Sequence, residues 1–224
     1  MTAAPLRIAV GDGHAVSGLL DRPADARACL VLAHGAGAGM AHPFMAAIAS
    51  GLAGAGLAVL RYQFPYMEAG GRRPHPPALA QATVRAAVAE AARRLPGVPL
   101  FAGGKSFGGR MTSGAEAAAP LDGVRGLVFL GFPLHPAGKP STARAAHLAD
   151  VPVPMLFLQG TRDTLAGLDL LRPVIAGLGD RATLVVVDDG DHSFHVRKAR
   201  GRNDPAVLAG LVSAIAGWTA GILT

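Results

Sequence analysis

"GGKSFGG", residues 103–109, follows the apolar run "GVPLFA" and decides how the chain is read. Its Gly104-Lys105-Ser106 matches the end of a phosphate-binding loop. Its Gly104–Gly108 stretch, "GKSFG", matches a turn that lifts a serine hydroxyl clear of a strand-to-helix junction. The phosphate loop needs a further glycine at position 99, and that residue is Pro99. No acidic strand partner for a magnesium ion accompanies Lys105 either, so the residues argue against nucleotide binding. The serine turn needs small residues two positions before and after Ser106, because the backbone doubles back there. Gly104 and Gly108 meet that need, Gly109 adds room, and Lys105 is a bystander on this reading. By itself the motif also fits a glycine-rich turn with an incidental serine.

Outward from this stretch the chain alternates between short β-rich apolar runs and alanine-rich helical ones. Strands are expected at 6–10, 14–20, 28–34, 57–64, 99–104, 126–133, 154–160 and 182–188, the first two joined by a "GDG" turn. Helices are expected at 43–55, 77–95, 107–119, 167–179 and 206–224. Such alternation implies an α/β fold with a mostly parallel sheet, right-handed crossovers and helices on both faces. Chemistry in such a sheet belongs to the loops after the carboxyl ends of the strands. Neither a repeat nor a change of composition divides the chain, so residues 1–224 read as one domain.

A serine hydroxyl is a weak nucleophile unless a base takes its proton and an acid orients the base. Downstream of Ser106, "LFLQGTRD" places Asp163 just past a strand, and "VVVDDGDHSF" places His192 just past the next. The order serine, acid, histidine suits a nucleophile on a strand-turn-helix elbow. Asp188, Asp189 and Asp191 lie too close to His192 in sequence to orient its ring and read as turn formers. His195 reads as a surface residue. An oxyanion hole needs two backbone N–H donors. Phe107, the residue after the serine, supplies one. The glycine-rich loop "HGAGAG" supplies the other from Ala36, with Gly37 next.

Composition narrows the partners. Of 224 residues half are hydrophobic and 16% are charged, enough apolar material for a sizeable core. The net charge of +6 comes mostly from scattered arginines, with one dense cluster, "RKARGRND" at 197–204, read as a solvated loop. With one Trp, two Tyr and eight Phe, base stacking has little to work with, and no nucleic acid is expected. Cys29 is the only cysteine and reads as part of a buried strand, so no intrachain disulfide is possible. Residues 206–224 carry no charge but are broken by Gly210, Gly217 and Gly221, and read as a core-packed helix rather than a membrane span. With no signal pattern at the start, a cytoplasmic location is expected. The histidines lack metal-ligand spacing, and no metal or cofactor is called for.

Taken together, "HGAGAG", "GKSFG", "GTRD" and "DGDHSF" resemble the α/β-hydrolase superfamily over most of the chain. The segments "RYQFPYMEAGGRRPHPP", "GFPLHPAGKP" and "QGTRD" are similar to a small group of bacterial hydrolases related to dienelactone hydrolase. They are also similar to the hydrolase-like domain of a eukaryotic histone-acetyltransferase complex subunit. The resemblance implies an eight-stranded sheet and Ser–His–Asp chemistry on Ser106, His192 and Asp163. Dienelactone hydrolase carries a cysteine where this chain has Ser106. Only about twenty residues follow "GFPLHP" before the next strand, too few for a large cap domain.

The expected activity is hydrolysis of a small carboxylic ester, thioester or lactone. Peptidase or amidase chemistry would use the same residues, and a catalytically silent interaction module is the alternative from a different class. Tyr62, Phe64, Tyr66, Phe132, Leu134 and His135 are the expected pocket lining. Arg61 and Arg110 each read equally as a carboxylate binder or a structural ion pair.

Overall fold

A computed structural model describes residues 3–11, 13–197 and 203–224. Asp12 of the "GDG" turn and residues 198–202 of the basic cluster lie outside the described residues. Eight strands form one sheet: Ala4–Gly11 (β1), His14–Asp21 (β2), Ala28–Ala33 (β3), Leu57–Tyr62 (β4), Leu100–Lys105 (β5), Val124–Leu130 (β6), Met155–Gly160 (β7) and Ala182–Val187 (β8). Their spatial order is β1-β2-β4-β3-β5-β6-β7-β8. β2 runs antiparallel to both its neighbours, and every other pairing is parallel.

Every residue of β3, β4 and β7 is buried, as uninterrupted apolar runs must be when helices cover both faces. The period of two sorts their side chains into two cores. Cys29, Val31 and Ala33 face the helices Pro77–Arg94 (α3), Phe107–Ala118 (α4) and Leu168–Gly177 (α5). Leu30 and Leu32 face Pro43–Gly54 (α1) and Asp204–Leu223 (α6). Burial lifts the Cys29 thiol to about 12, which keeps it a protonated core residue.

Two elements depart from expectation. β4 stops at Tyr62 rather than running to position 64, because Pro65 starts a short helix, Pro65–Glu68 (α2), and the Phe64 amide donates to His34 instead of a neighbouring strand. The segment read as a plain loop after β6 holds a 3-10 helix, Ala143–Asp150, packed on α4. Among the described residues no large cap interrupts the sheet.

α6 is long and apolar enough to cross a bilayer by length and composition. Here its Val207, Leu211 and Ile215 stripe is buried against the sheet and α1. The Asn203 side chain caps its first turn by accepting from the Ala206 amide at 2.9 Å.

Candidate active site

Ser106 stands between the end of β5 and the start of α4 with φ 51° and ψ −115°, a conformation that a non-glycine residue holds only under strain. The turn is possible because its neighbours lack side chains. A Cβ on Gly104 would lie 2.6 Å from the Ala33 carbonyl oxygen, and one on Gly108 would lie 2.5 Å from that of His34. Both glycines therefore let the elbow press against the end of β3. The Ser106 amide donates to the Leu130 carbonyl at 3.1 Å, tying the turn to the end of β6.

The loops after β7 and β8 bring Asp163 and His192 to the same sheet edge. His192 Nε2 lies 2.8 Å from Ser106 Oγ, and His192 Nδ1 lies 2.7 Å from Asp163 Oδ2. The Asp163 carboxylate is fully buried and accepts two further hydrogen bonds, from Gln159 Nε2 at 2.6 Å and the Leu165 amide at 2.8 Å. Its position is thus fixed from three sides. A carboxylate acceptor puts the imidazole proton on Nδ1 and leaves the Nε2 lone pair facing the hydroxyl. Such a relay can accept the serine proton during attack on a carbonyl carbon.

Two of the other nearby acids, Asp189 and Asp191, are engaged elsewhere. Asp189 pairs with Arg162 and Arg197, and the Arg197 side chain holds its carboxyl at about 2. Asp191 accepts from the Ser193 and His195 amides and closes the turn that carries His192. His195 is exposed and lies 2.6 Å from Asp204 at the start of α6.

His34 shapes the loop beside Ser106. It is fully buried, and burial pushes its pKa down to about 4, so the ring is neutral. Its Nε2 accepts from the Phe64 amide at 3.0 Å, which leaves Nδ1–H to donate to the Gly35 carbonyl at 2.7 Å. In a trans peptide the C=O and the next N–H point in opposite directions. Holding the Gly35 oxygen against His34 therefore turns the Ala36 N–H away from that ring. The Tyr66 hydroxyl donates to the Ala36 carbonyl at 2.9 Å and fixes the following peptide. Among the described residues neither the Ala36 nor the Phe107 amide donates to a protein acceptor.

Lys105 is no bystander. Its ammonium donates to the His192 carbonyl and stands 5.5 Å from the centre of the Phe194 ring. Burial lowers its pKa to about 8, opposed by the charges of Asp163 and Asp191. The residue before Ser106 is thereby tied to the backbone of His192. The partner lies 87 positions away, and nothing in the local motif announces it.

A cavity of about 760 Å³ opens on Ser106, Ala36 and His192. Its apolar walls come from the start of α1 (Phe44, Met45), the first turns of α6 (Val207, Leu211), Phe194 and Leu165. Phe44 and Phe194 stack with ring centres 5.8 Å apart. These walls differ from the expected lining. Tyr62, Phe64, Tyr66, Phe132 and Leu134 are buried in the core, His135 is buried as a polar residue, and none of them forms part of these walls. Tyr66 instead braces the Ala36 loop, and Phe132 packs against Phe129 and Phe157. Arg61 is also structural, since it pairs with Asp21 at 2.9 Å with both side chains buried. Gly37 does line the cavity.

A family model described as an alpha/beta hydrolase domain matches residues 26–220. A dienelactone hydrolase from Anabaena variabilis superposes with a TM-score of 0.79 at 20% identity, covering 98% of this chain and 97% of the other. A Xanthomonas campestris protein, described as an α/β serine hydrolase without a lid, gives a TM-score of 0.74 at 21% identity over 97% of this chain and 95% of its own. The esterase domain of a Rhodothermus marinus protein gives 0.73 at 15% identity, with 97% and 98% covered. At these identities the likeness speaks for the fold.

Proposed function

The chain belongs to the alpha/beta hydrolase domain family, and we propose that it is a serine hydrolase of small carboxylic esters, thioesters or lactones. The supporting observation is the continuous hydrogen-bonded line Ser106–His192–Asp163 at the mouth of a cavity. Ser106 Oγ attacks the carbonyl carbon while its proton passes to His192 Nε2. Asp163 keeps the ring oriented and stabilises the imidazolium. The Ala36 and Phe107 amides receive the oxyanion. His192 then gives its proton to the departing alcohol or thiol, leaving an acyl group on Ser106. Water, deprotonated by His192, releases the acid and restores the serine. A fluorophosphonate probe is expected to label Ser106, with the adduct located by peptide mass spectrometry. A folded protein that takes no label overturns the proposal.

The apolar walls between α1 and α6 favour an uncharged acyl chain. Each buried methylene is worth about 0.8 kcal/mol, so lengthening an acyl group by two methylenes should raise kcat/KM about 15-fold until the cavity is full. A series of p-nitrophenyl esters from acetate to dodecanoate measures this. Leu211→Trp, at the α6 wall, is expected to move the optimum to shorter chains.

Lys105 sets an alkaline limit. Its ammonium form holds the His192 carbonyl, and that charge is lost as pH rises through about 8. The value of kcat/KM should therefore fall several-fold above pH 8. In Lys105→Met the rate should be lower at pH 7, and this limb should vanish. Lys105→Arg should retain activity to higher pH. A wild-type profile flat from pH 7 to 10 would remove this role.

A further inference from the structure

The sequence leaves two arginines as carboxylate binders, and the structure disposes of one. Arg61 is committed to Asp21. Arg110 has no such partner: its side chain forms no ion pair or hydrogen bond with any described residue, and its Nε is buried without an acceptor. Arg110 lies one helical turn after Ser106, its amide donating to the Ser106 carbonyl at 3.2 Å. Arg110 therefore stands in the first turn of α4, directly behind the elbow that carries Ser106.

The 3-10 helix Ala143–Asp150 packs on this side of α4 and adds two more basic groups. His147 Nε2 lies 2.7 Å from Ser113 Oγ, and Arg144 is near enough for its charge to disfavour that of Arg110. Burial and the charge of Arg110 in turn lower the pKa of His147. Asp150 favours the His147 charge, and neither Arg110 nor Arg144 has an ion pair among the described residues. Two guanidinium charges drawn together from two elements are unfavourable until an anion joins them, and the His147 ring beside them is held toward its neutral form. The planar guanidinium fork suits a carboxylate, which it binds through two parallel hydrogen bonds.

We propose that Arg110, Arg144 and His147 form an anion subsite beside Ser106 that takes a carboxylate on the alcohol part of the substrate. The inference rests on the hydrolase reading above. The apolar cavity holds the acyl chain, and the cationic group lies outside its walls, so the two parts of one ester go to different places. Attack by Ser106 then releases a hydroxycarboxylate, whose alcohol oxygen takes the proton from His192, while water later frees the acyl chain as an acid.

The test uses two esters with one acyl group, 4-carboxyphenyl hexanoate and its methyl ester, with kcat/KM measured on wild type, Arg110→Gln, Arg110→Lys and Arg144→Gln. The ratio of charged to methylated ester cancels intrinsic reactivity, and the methyl ester reports whether each variant is folded. Arg110→Gln should lower this ratio about 10- to 100-fold and Arg144→Gln should lower it less, with partial recovery in Arg110→Lys. A ratio unchanged in all three variants overturns the subsite. If neither ester is hydrolysed by wild type, the hydrolase reading fails. Calorimetric binding of 4-hydroxybenzoate then still decides the subsite, by its presence in wild type and its loss in Arg110→Gln. Stabilisation by acetate or inorganic phosphate that is lost in Arg110→Gln, with an unchanged ester ratio, would assign the cluster to a free anion and overturn the substrate assignment.

Discussion

Ser106→Ala is expected to lower kcat by about 10⁴- to 10⁶-fold while leaving the circular dichroism spectrum and the fold unchanged. The alanine keeps the Cβ, so the sheet edge, the His192–Asp163 bond and the cavity walls have no reason to move. What disappears is the one oxygen to which His192 Nε2 is hydrogen-bonded. A hydrolase whose rate came from some other group would lose far less, so residual activity within tenfold of wild type would remove Ser106 from the chemistry. Ser106→Gly sharpens the test. It should be as inactive as the alanine variant yet more stable by about 1 kcal/mol in urea unfolding. Glycine is free to adopt φ 51°, and release of strain worth 1–3 kcal/mol outweighs the added freedom of the unfolded chain. An alanine variant as stable as the glycine one would mean that the elbow stores no strain.

The elbow was legible because its requirements are local. Gly104 and Gly108 stand where the backbone must approach β3, and the strand and helix on either side follow from apolar periodicity. Asp163 and His192 were legible from chain order, since a parallel sheet puts successive loops on one edge. Where the reading failed, tertiary contacts had decided. Tyr62, Phe64 and Phe132 belong to the core on the α3–α4 side, a choice that residue type alone does not make. The cavity walls instead come from α1 and α6, whose proximity no local pattern declares. Arg61 and Arg110 looked equivalent in sequence. They were separated only by Asp21, which β2 brings beside Arg61 through its pairing with β4.

The largest effect on folding is expected one residue before the elbow proper. A Cβ on Gly103 would lie 1.9 Å from the Val128 carbonyl oxygen and within 2.9 Å of the Val128 backbone carbon and nitrogen. No rotamer relieves that contact, because both sides are main chain. Gly103 pairs with Val128 across β5 and β6, so an added methyl must push two central strands apart by about 1 Å or more to reach a tolerable contact. That displacement also breaks the bond from the Ser106 amide to the Leu130 carbonyl, which anchors the elbow. Gly103→Ala should therefore cost more than about 4 kcal/mol, read as loss of the cooperative urea transition or recovery only from inclusion bodies. Gly210→Ala is the matched control. It lies exposed in α6 with no atom within 4 Å of the new methyl group, and should stabilise by about 0.5–1 kcal/mol through helix propensity. Motif logic asks for small residues only at Gly104 and Gly108. A Gly103→Ala variant that unfolds while Gly210→Ala gains stability would show that the strand feeding the turn is constrained more tightly than the turn itself, because its backbone must lie against β6 for Ser106 to reach His192. A Gly103→Ala protein with wild-type stability and activity would show that β5 and β6 can separate without disturbing the site.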